Sequence, residues 1–234
     1  MREESIVRLK SIAVITFLFA SLFLAPSMSA YAESPKPKST TINNKKSEKI
    51  RCKVTKATAQ TPARITPPNS ILKRFPKSIT LRTNCGDIVI QTLPREAPVT
   101  VTVMSTLARS GFFDETLCHR LTTEGIFVLQ CGDPTATGTG GPDFRYRDEN
   151  LPTAGENNYP EGTVAMANSG PGTNGSQFFL VYKNTTLGPN YTIWGRIISG
   201  LDIVKFIAEG GVKSGGVDGT PLRTISINEA RTNN

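Results

Sequence analysis

The sequence predicts a mainly β fold in which antiparallel strands form a closed barrel and two helices cap it. Two observations lead to this prediction. Short apolar strands separated by turn residues recur from residue 78 to the C-terminus, and such a series is typical of antiparallel barrels. Two further segments place apolar residues at helical spacing and supply the caps.

The first elements are a hairpin and a helix. The stretch "ITLRTNCGDIVIQTL" contains two apolar runs around a turn at residues 84–87, which predicts a β-hairpin. In "APVTVTVMSTLARSGFF", Pro98 suits the first turn of a helix. The β-branched run at residues 99–103 favours a strand by local propensity. Because the apolar residues of this stretch recur at helical spacing, we predict a helix.

The remaining elements are mostly strands. The stretch "TLCHRLTTEGIFVLQCGD" gives two strands around a Thr/Gly turn, and "EGTVAMANSG" gives another. A Gly- and Asn-rich loop then enters a strand at residues 177–181, "QFFLV", and alternation places Phe179 and Phe178 on opposite faces. The stretch "LGPNYTIWGRII" predicts a turn and strand, "GLDIVKFIAEGG" an amphipathic helix, and "RTISINEA" a last strand.

The charge of the chain is unevenly distributed. The formal net charge of +8 divides into +1 for residues 1–32, +10 for residues 33–77 and −3 for residues 78–234. The basic character therefore belongs to the second segment, while the predicted folded part is mildly acidic. Nucleic-acid binding by the folded part is not supported, because it lacks a basic surface of the required charge.

The N-terminal segments predict export and a linker. Residues 1–32 contain basic residues, an apolar stretch and the small-x-small site "AYA", which is the arrangement of a signal peptide. Pro26 closes the apolar run, which is short for a spanning helix, so cleavage is favoured over a retained anchor.

Residues 33–77 are rich in Lys, Pro, Ser and Thr and predict a flexible linker. We expect an exported protein, secreted or membrane-tethered on the extracytoplasmic side. Its basic linker could associate with an anionic membrane or envelope, although the sequence favours a linker that is simply solvated.

The four cysteines are Cys52, Cys85, Cys118 and Cys131. They show no C-x-x-C spacing, so no metal site is predicted. Export would permit disulfides. Cys118 and Cys131 flank two strands that could pair, which makes them the first candidates for a disulfide. Ordinary core cysteines are equally compatible with the sequence.

Residues suited to nucleophilic catalysis are scarce. His119 is the only histidine, and its neighbour Cys118 falls on the opposite face of a strand, so the two do not form a nucleophile and base pair. The pair Asp148-Glu149 is interpreted as solvated surface. Arg120 lies opposite "FVLQ", so its guanidinium and the Gln130 amide would emerge on a half-apolar surface. A structural salt bridge and a functional role for Arg120 are equally compatible with this pattern.

Several motifs in order resemble the signatures of the cyclophilin family of peptidyl-prolyl isomerases. They are "CHRLTTEGIFVLQCGDP", "GTGGP", "DEN", "MANSGPGTNGSQFFL" and "IWGRI". The resemblance runs from about Ile79 to the C-terminus, so the domain is expected at residues 78–234. It implies an eight-stranded closed β-barrel with a helix over each end and a substrate groove on one face. It also implies action on proline-containing polypeptides. We expect a monomer, and the lack of suitable ligand residues predicts no metal or cofactor.

The resemblance further implies the roles of individual residues. Arg120 matches the catalytic arginine of the family. The positions that match substrate-binding residues are Phe127, Val128, Phe179 and Leu187 in the proline pocket, Gln130 near the arginine, Ala167, Asn168 and Gln177 along the substrate backbone, and Tyr191 where many members have histidine. Thr186 stands where cyclosporin-sensitive members have tryptophan, which puts cyclosporin affinity in doubt.

Two other functions are compatible with the sequence. The domain could act chiefly as a peptide-binding or chaperone module with incidental isomerase activity, in which case binding would persist without Arg120. It could also be a structural envelope protein whose basic linker is the operative part. Intact Arg120, Gln130 and Phe179 favour the enzyme over both.

Overall fold

The computed structural model of the protein describes residues 49–234. Within this range the chain forms ten strands and two helices, which confirms the prediction of a mainly β fold with two helices. In chain order they are β1 (Ser78–Thr83), β2 (Gly86–Thr92), α1 (Pro98–Arg109), β3 (Thr116–Leu117), β4 (Arg120–Thr122), β5 (Val128–Cys131), β6 (Thr163–Met166), β7 (Phe178–Val181), β8 (Ile193–Ser199), α2 (Leu201–Glu209), β9 (Asp218–Gly219) and β10 (Ser226–Asn233).

The strands of residues 49–234 form one antiparallel sheet in the order β3-β10-β1-β2-β8-β6-β7-β5-β4-β9. The eight strands and closed barrel implied by the resemblance are not confirmed, because this sheet has ten strands and its order ends at β3 and β9. The stretch predicted as a single strand is divided at Cys118 and His119. The Cys118 N–H donates to the Ile225 carbonyl, whereas the His119 N–H donates to the Gln130 carbonyl. The chain thus leaves β10 and joins β5 within a few residues, and the sheet curls back towards itself there.

Helix α1 forms despite its β-branched residues. Thr100, Val101 and Val103 are buried, so tertiary packing outweighs the local preference for a strand. The first turn has no side-chain cap of its own. Instead, the Glu149 carboxylate accepts hydrogen bonds from the Val99 N–H at 3.2 Å and the Thr100 N–H at 2.9 Å. Glu149 therefore caps a helix and is not simply part of a solvated surface.

The buried apolar residues of the described chain form two clusters on opposite faces of β7. Phe178 and Leu180 belong to the larger cluster, together with the buried Trp194. Phe179 and Val181 belong to the smaller cluster. This division confirms the alternation predicted for the strand, and it leaves the smaller cluster to form one wall of the candidate site.

Residues 49–77, here called the strap, pack against the domain. Ala57 is buried, the Lys53 N–H donates to the Asn84 carbonyl at 2.8 Å, and the Gln60 N–H donates to the Pro134 carbonyl at 2.9 Å. The apolar side chains that pack on the main cluster are Ile50, Cys52, Ile65 and Phe75. This part of the chain differs from the flexible linker predicted for residues 33–77, because a few well-spaced apolar residues anchor a segment whose average composition is polar.

All four cysteines lie in the described part of the chain and form disulfides. Cys118 pairs with Cys131, which was the first candidate from the sequence. Cys52 pairs with Cys85 and joins the strap to the turn between β1 and β2. The domain therefore has a covalent connection to the segment that precedes it.

The predicted signal segment at residues 1–32 and the part of the predicted linker up to residue 48 lie outside the described residues. Among residues 49–234, no helix has the length and apolar character needed to cross a membrane.

Candidate active site

A small pocket beside β4, β5 and β7 gathers most of the predicted site residues. Its volume is about 150 Å³. The residues from the sequence-based set that line it are Arg120, Val128, Gln130, Ala167, Asn168, Phe179, Leu187 and Tyr191. Ile126 completes the lining. The pocket therefore combines an apolar wall with a guanidinium and two amide side chains.

The apolar wall is held by aromatic contacts. The rings of Phe179 and Tyr191 meet edge to face with their centroids 5.5 Å apart, and the buried Tyr159 lies 6.0 Å from Phe179. The Tyr159 hydroxyl donates to the Tyr191 carbonyl and accepts from the Tyr191 N–H. Burial raises the pKa of Tyr159 to about 12, so the hydroxyl keeps the proton that this contact needs. Tyr159 thereby fixes Tyr191 against Phe179.

The polar side of the pocket is a chain of hydrogen bonds. Arg120 Nη1 donates to Gln130 Oε1 at 3.2 Å, and Gln130 Nε2 donates to Gln177 Oε1 at 2.8 Å. Gln177 Nε2 in turn donates to the carbonyls of Gly138 and Gly140 at 3.0 and 2.9 Å. Each amide is thus oriented by the next group. Gln177 lies outside the apolar pocket and lines an adjacent polar one of about 170 Å³.

Arg120 also has an ion-pair partner that the sequence analysis did not identify. Its Nε and Nη2 donate to the two carboxylate oxygens of Asp218 at 2.8 and 2.7 Å. The hydrogen bonds that Arg120 donates to Asp218 raise the pKa of Arg120, and the same contact lowers the pKa of Asp218. The salt bridge that the sequence left open as one role for Arg120 is therefore present, and Arg120 lines the pocket at the same time. No local signal could have indicated Asp218, which is 98 residues away in the chain.

Phe127 does not line the pocket, contrary to the position expected from the resemblance. Its ring lies on the other side of the strand, edge to face with Tyr182 and beneath the Lys183 ammonium, which is 4.3 Å from the ring centroid. Ile126 takes the place at the pocket instead. Alternation from Val128 and Gln130 puts Ile126 on their face and Phe127 on the opposite face, so this signal was present in the sequence.

A buried carboxylate organises the loop that holds Gln177. Asp133 is fully buried and accepts hydrogen bonds from the backbone N–H groups of Thr135, Thr137, Gly138 and Gly140. Burial alone would raise the pKa of Asp133, but the hydrogen bond from the Thr135 hydroxyl and those from the N–H groups of Gly140, Thr135 and Gly138 outweigh it and lower the pKa. A Cβ at Gly140 would lie 2.0 Å from Asp133 Oδ1, so only glycine allows this approach. The loop therefore presents its carbonyls to Gln177 in a fixed arrangement.

The Gly- and Asn-rich loop before β7 is also ordered by side chains. The Asn168 amide donates to the Asn190 carbonyl at 2.8 Å, which ties the two sides of the pocket together. Asn174 is buried and donates to Asp148 Oδ1 at 2.9 Å. Asp148 Oδ2 accepts from the Gly172 N–H. Side-chain hydrogen bonds therefore hold the loop at both ends.

Cys118 and His119 do not form a catalytic pair. Cys118 is committed to a disulfide, and His119 is buried with neither ring nitrogen hydrogen-bonded within the described residues. Burial lowers the pKa of His119. Residues 49–234 also contain no group of three or more His, Cys, Asp or Glu that could hold a metal ion.

Comparison with known proteins decides the family. The family model described as cyclophilin type peptidyl-prolyl cis-trans isomerase/CLD matches residues 78–232. The chain belongs to the cyclophilin family. A curated relative, a probable peptidyl-prolyl cis-trans isomerase B of Mycobacterium leprae, is 46% identical over 165 residues. That match covers 66% of this chain and 56% of the relative, so the chain spans little more than half of the relative's length.

Solved cyclophilin structures agree with this assignment. A crystal structure of a cyclophilin type peptidyl-prolyl cis-trans isomerase from Cryptosporidium parvum has a TM-score of 0.59 and 27% identity, and the match covers 69% of this chain and 99% of that one. The structure of the same protein in the presence of the dipeptide Ala-Pro has a TM-score of 0.58 and 26% identity, with 67% and 99% covered. The ten-stranded sheet with two helices is thus a cyclophilin-like fold.

This cyclophilin departs from the usual family pattern at two positions near the pocket. Tyr191 packs on Phe179 where many members have histidine. Thr186 stands where cyclosporin-sensitive members have tryptophan, and its hydroxyl accepts a hydrogen bond from the Asn157 N–H. The Thr186 position carries no aromatic surface.

Proposed function

We propose that this protein is a peptidyl-prolyl cis-trans isomerase that accelerates rotation about X-Pro peptide bonds. The observation that carries the proposal is the guanidinium of Arg120 at the edge of an apolar pocket formed by Val128, Phe179 and Leu187. Membership of the cyclophilin family supports it. The Ala-Pro dipeptide supplied to the Cryptosporidium parvum protein supports proline-containing polypeptides as substrates.

Catalysis of this reaction lowers a rotational barrier and changes no covalent bond. Rotation of an X-Pro amide breaks the resonance of its C–N bond against a barrier of about 18–20 kcal/mol. In the twisted transition state the prolyl nitrogen regains its lone pair and becomes a better hydrogen-bond acceptor. A fixed donor such as Arg120 then binds that state more tightly than either planar state, which accelerates the rotation.

The apolar wall and the neighbouring amides have different tasks in this proposal. Phe179 and the apolar side chains around it hold the proline ring while the rest of the peptide turns. Ala167 and Asn168 also line the pocket and are proposed to contact the substrate backbone. Gln177, proposed for the same task, already uses its side-chain donor on two carbonyls. Its side chain therefore contributes by orienting Gln130.

We infer that the protein is exported and assists the folding of extracytoplasmic polypeptides. Two disulfides support this location, because disulfides persist in oxidising compartments. The strap packs on the domain, so we assign association with a membrane or envelope to residues 1–48. We propose that it acts as a monomer.

The test is the isomerisation of a short Ala-Pro-Phe peptide, followed by exchange NMR with and without the purified protein. The uncatalysed reaction takes tens to hundreds of seconds at 25 °C. We expect catalytic amounts of the protein to shorten the exchange time of the peptide far below this uncatalysed value. A folded protein that binds the peptide and leaves the exchange rate unchanged would overturn the proposal and favour a peptide-binding or chaperone module.

A further inference from the structure

We propose that Asp218 is a positioning residue that holds the Arg120 guanidinium at the pocket for catalysis. The inference rests on the proposed function, because it assigns a partner to the group that would stabilise the twisted amide. Asp218 does not line the pocket itself. Any contribution it makes to the reaction therefore passes through Arg120.

The contact has the geometry of a fork. Asp218 Oδ1 accepts from Arg120 Nε at 2.8 Å, and Oδ2 accepts from Nη2 at 2.7 Å. Paired hydrogen bonds of this kind fix the plane of a guanidinium as well as its position. A single hydrogen bond, such as the one from Nη1 to Gln130 at 3.2 Å, would leave that plane free to rotate.

Backbone pairing between two strands places Asp218 beside Arg120. Strand β9 pairs with β4, and Asp218 lies opposite Thr122 in the register. The Thr123 N–H also donates to the Val217 carbonyl at 2.8 Å. Asp218 is therefore attached to the same strand that carries Arg120, and the ion pair does not depend on a mobile side chain reaching across solvent.

The arrangement leaves donors for the substrate. The guanidinium presents its N–H groups in a rigid planar fork. The Nε hydrogen and one Nη2 hydrogen are used by Asp218, and one Nη1 hydrogen is used by Gln130. The other hydrogen on each of Nη1 and Nη2 has no acceptor among residues 49–234. Two partners thus restrain the guanidinium while a donor on each terminal nitrogen stays available.

Because the Arg120–Asp218 ion pair is exposed, a positioning role in catalysis can be distinguished from a role in stability. The Arg120 and Asp218 side chains are 40% and 49% exposed, and ion pairs at such positions contribute little to folding. Orientation of a catalytic donor is far more sensitive, because a small misplacement near the reacting atoms slows the reaction strongly. Loss of Asp218 should therefore reduce the rate and leave the stability almost unchanged.

The test compares Asp218→Ala, Asp218→Asn and Arg120→Ala in the full protein. We expect Asp218→Ala to lower kcat about tenfold with little change in KM. Asp218→Asn should be intermediate, since its amide oxygen can still accept from Nε. Adding Asp218→Ala to Arg120→Ala should cause no further loss. Glu229→Gln is the matched control, because Glu229 also pairs with arginines on the surface but lies outside the pocket.

A second readout follows the Arg120 side chain directly. In the wild-type protein the Nε–H resonance should be protected from solvent exchange, and Asp218→Ala should remove this protection at an unchanged melting temperature. The inference would be overturned if Asp218→Ala kept full activity while Arg120→Ala was slow. It would also be overturned if Asp218→Ala was faster than wild type, because Asp218 would then hold the guanidinium away from its productive orientation. An Arg120→Ala variant as fast as wild type would instead overturn the mechanism of the proposed function.

Discussion

Gln130 and Gln177 are joined side chain to side chain, with Gln130 Nε2 2.8 Å from Gln177 Oε1. The contact makes Gln130 present its oxygen, and not its NH₂ group, to Arg120. Gln177 is in turn fixed by the carbonyls of Gly138 and Gly140. Two side-chain amides therefore connect the proposed catalytic arginine to this loop.

The amide pair should behave as one unit in catalysis. We expect Gln130→Leu to lower kcat/KM about tenfold, because it removes an acceptor from a charged group. Gln177→Leu should cost less, since it acts only through Gln130, and the double variant should match Gln130→Leu alone. Gln91→Leu is the control, because Gln91 is exposed on β2. Additive losses in this cycle would contradict the relay.

Substitution of Ile126 should affect catalysis, whereas substitution of Phe127 should affect stability. Ile126→Ala removes apolar surface from the pocket and should reduce kcat/KM about tenfold, from a loss of roughly 1–2 kcal/mol of apolar contact. Phe127→Ala should leave kcat/KM nearly unchanged and lower the stability by about 1 kcal/mol through its contacts with Tyr182 and Lys183. Peptide kinetics and urea unfolding of both variants check this. The reverse pattern would place Phe127 in the pocket.

His119 should make the fold sensitive to mild acid. Burial lowers its pKa from 6.5, and the Arg120 charge lowers it further, against the opposing effect of the Asp133 charge. The unfolded chain therefore takes up a proton at a higher pH than the folded chain does. The stabilisation is fully present above about pH 6.5 and is lost as the pH falls towards and through the lowered folded-state pKa.

This pH dependence can be assigned to one residue, because the sequence contains a single histidine. The free energy of unfolding in urea should be higher at pH 7.5 than at pH 5.5 in the wild-type protein. The difference should shrink in His119→Gln, which cannot be protonated. A wild-type stability that does not change over this interval would show that His119 titrates normally in the fold.

The strap should be a stabilising part of the domain. Replacing both Cys52 and Cys85 by Ser opens the link between the strap and the β1–β2 turn and should cost about 2–4 kcal/mol of stability. A chain that begins at Ser78 should be destabilised further, since it also loses the apolar contacts of Ile65 and Phe75. Val54→Ser should have no effect, because Val54 is 99% exposed. Equal melting temperatures for chains starting at 49 and 78 would contradict this account.

Local patterns in the sequence predicted most of the sheet and both helices. Alternation separated Phe178 from Phe179, and helical spacing outweighed the β-branched run of α1 because those residues are buried. The same alternation rule, extended back from β5, would have placed Ile126 beside Val128, whereas the match to the family pointed to Phe127. Periodicity would thus have been the better guide to the side-chain direction just before β5.

Long-range contacts could not be predicted in this way. Asp218 reaches Arg120 through the pairing of β9 with β4, and neither the charge nor the spacing of Asp218 indicates that pairing. The strap was interpreted from its average composition, which is polar, although its stability depends on a few apolar residues and on Cys52. Both features arise from the tertiary fold and not from any local preference.

The most direct test of the central claim compares wild type with Arg120→Ala and Arg120→Lys at matched folding and matched peptide affinity. Removal of one transition-state donor should reduce kcat on the order of 10²–10³. Lysine should restore only a small part, because it lacks the planar fork that contacts Asp218 and Gln130. The account predicts a folded Arg120→Ala protein that binds the Ala-Pro-Phe peptide and barely accelerates its isomerisation. An Arg120→Ala protein with wild-type kcat would contradict it.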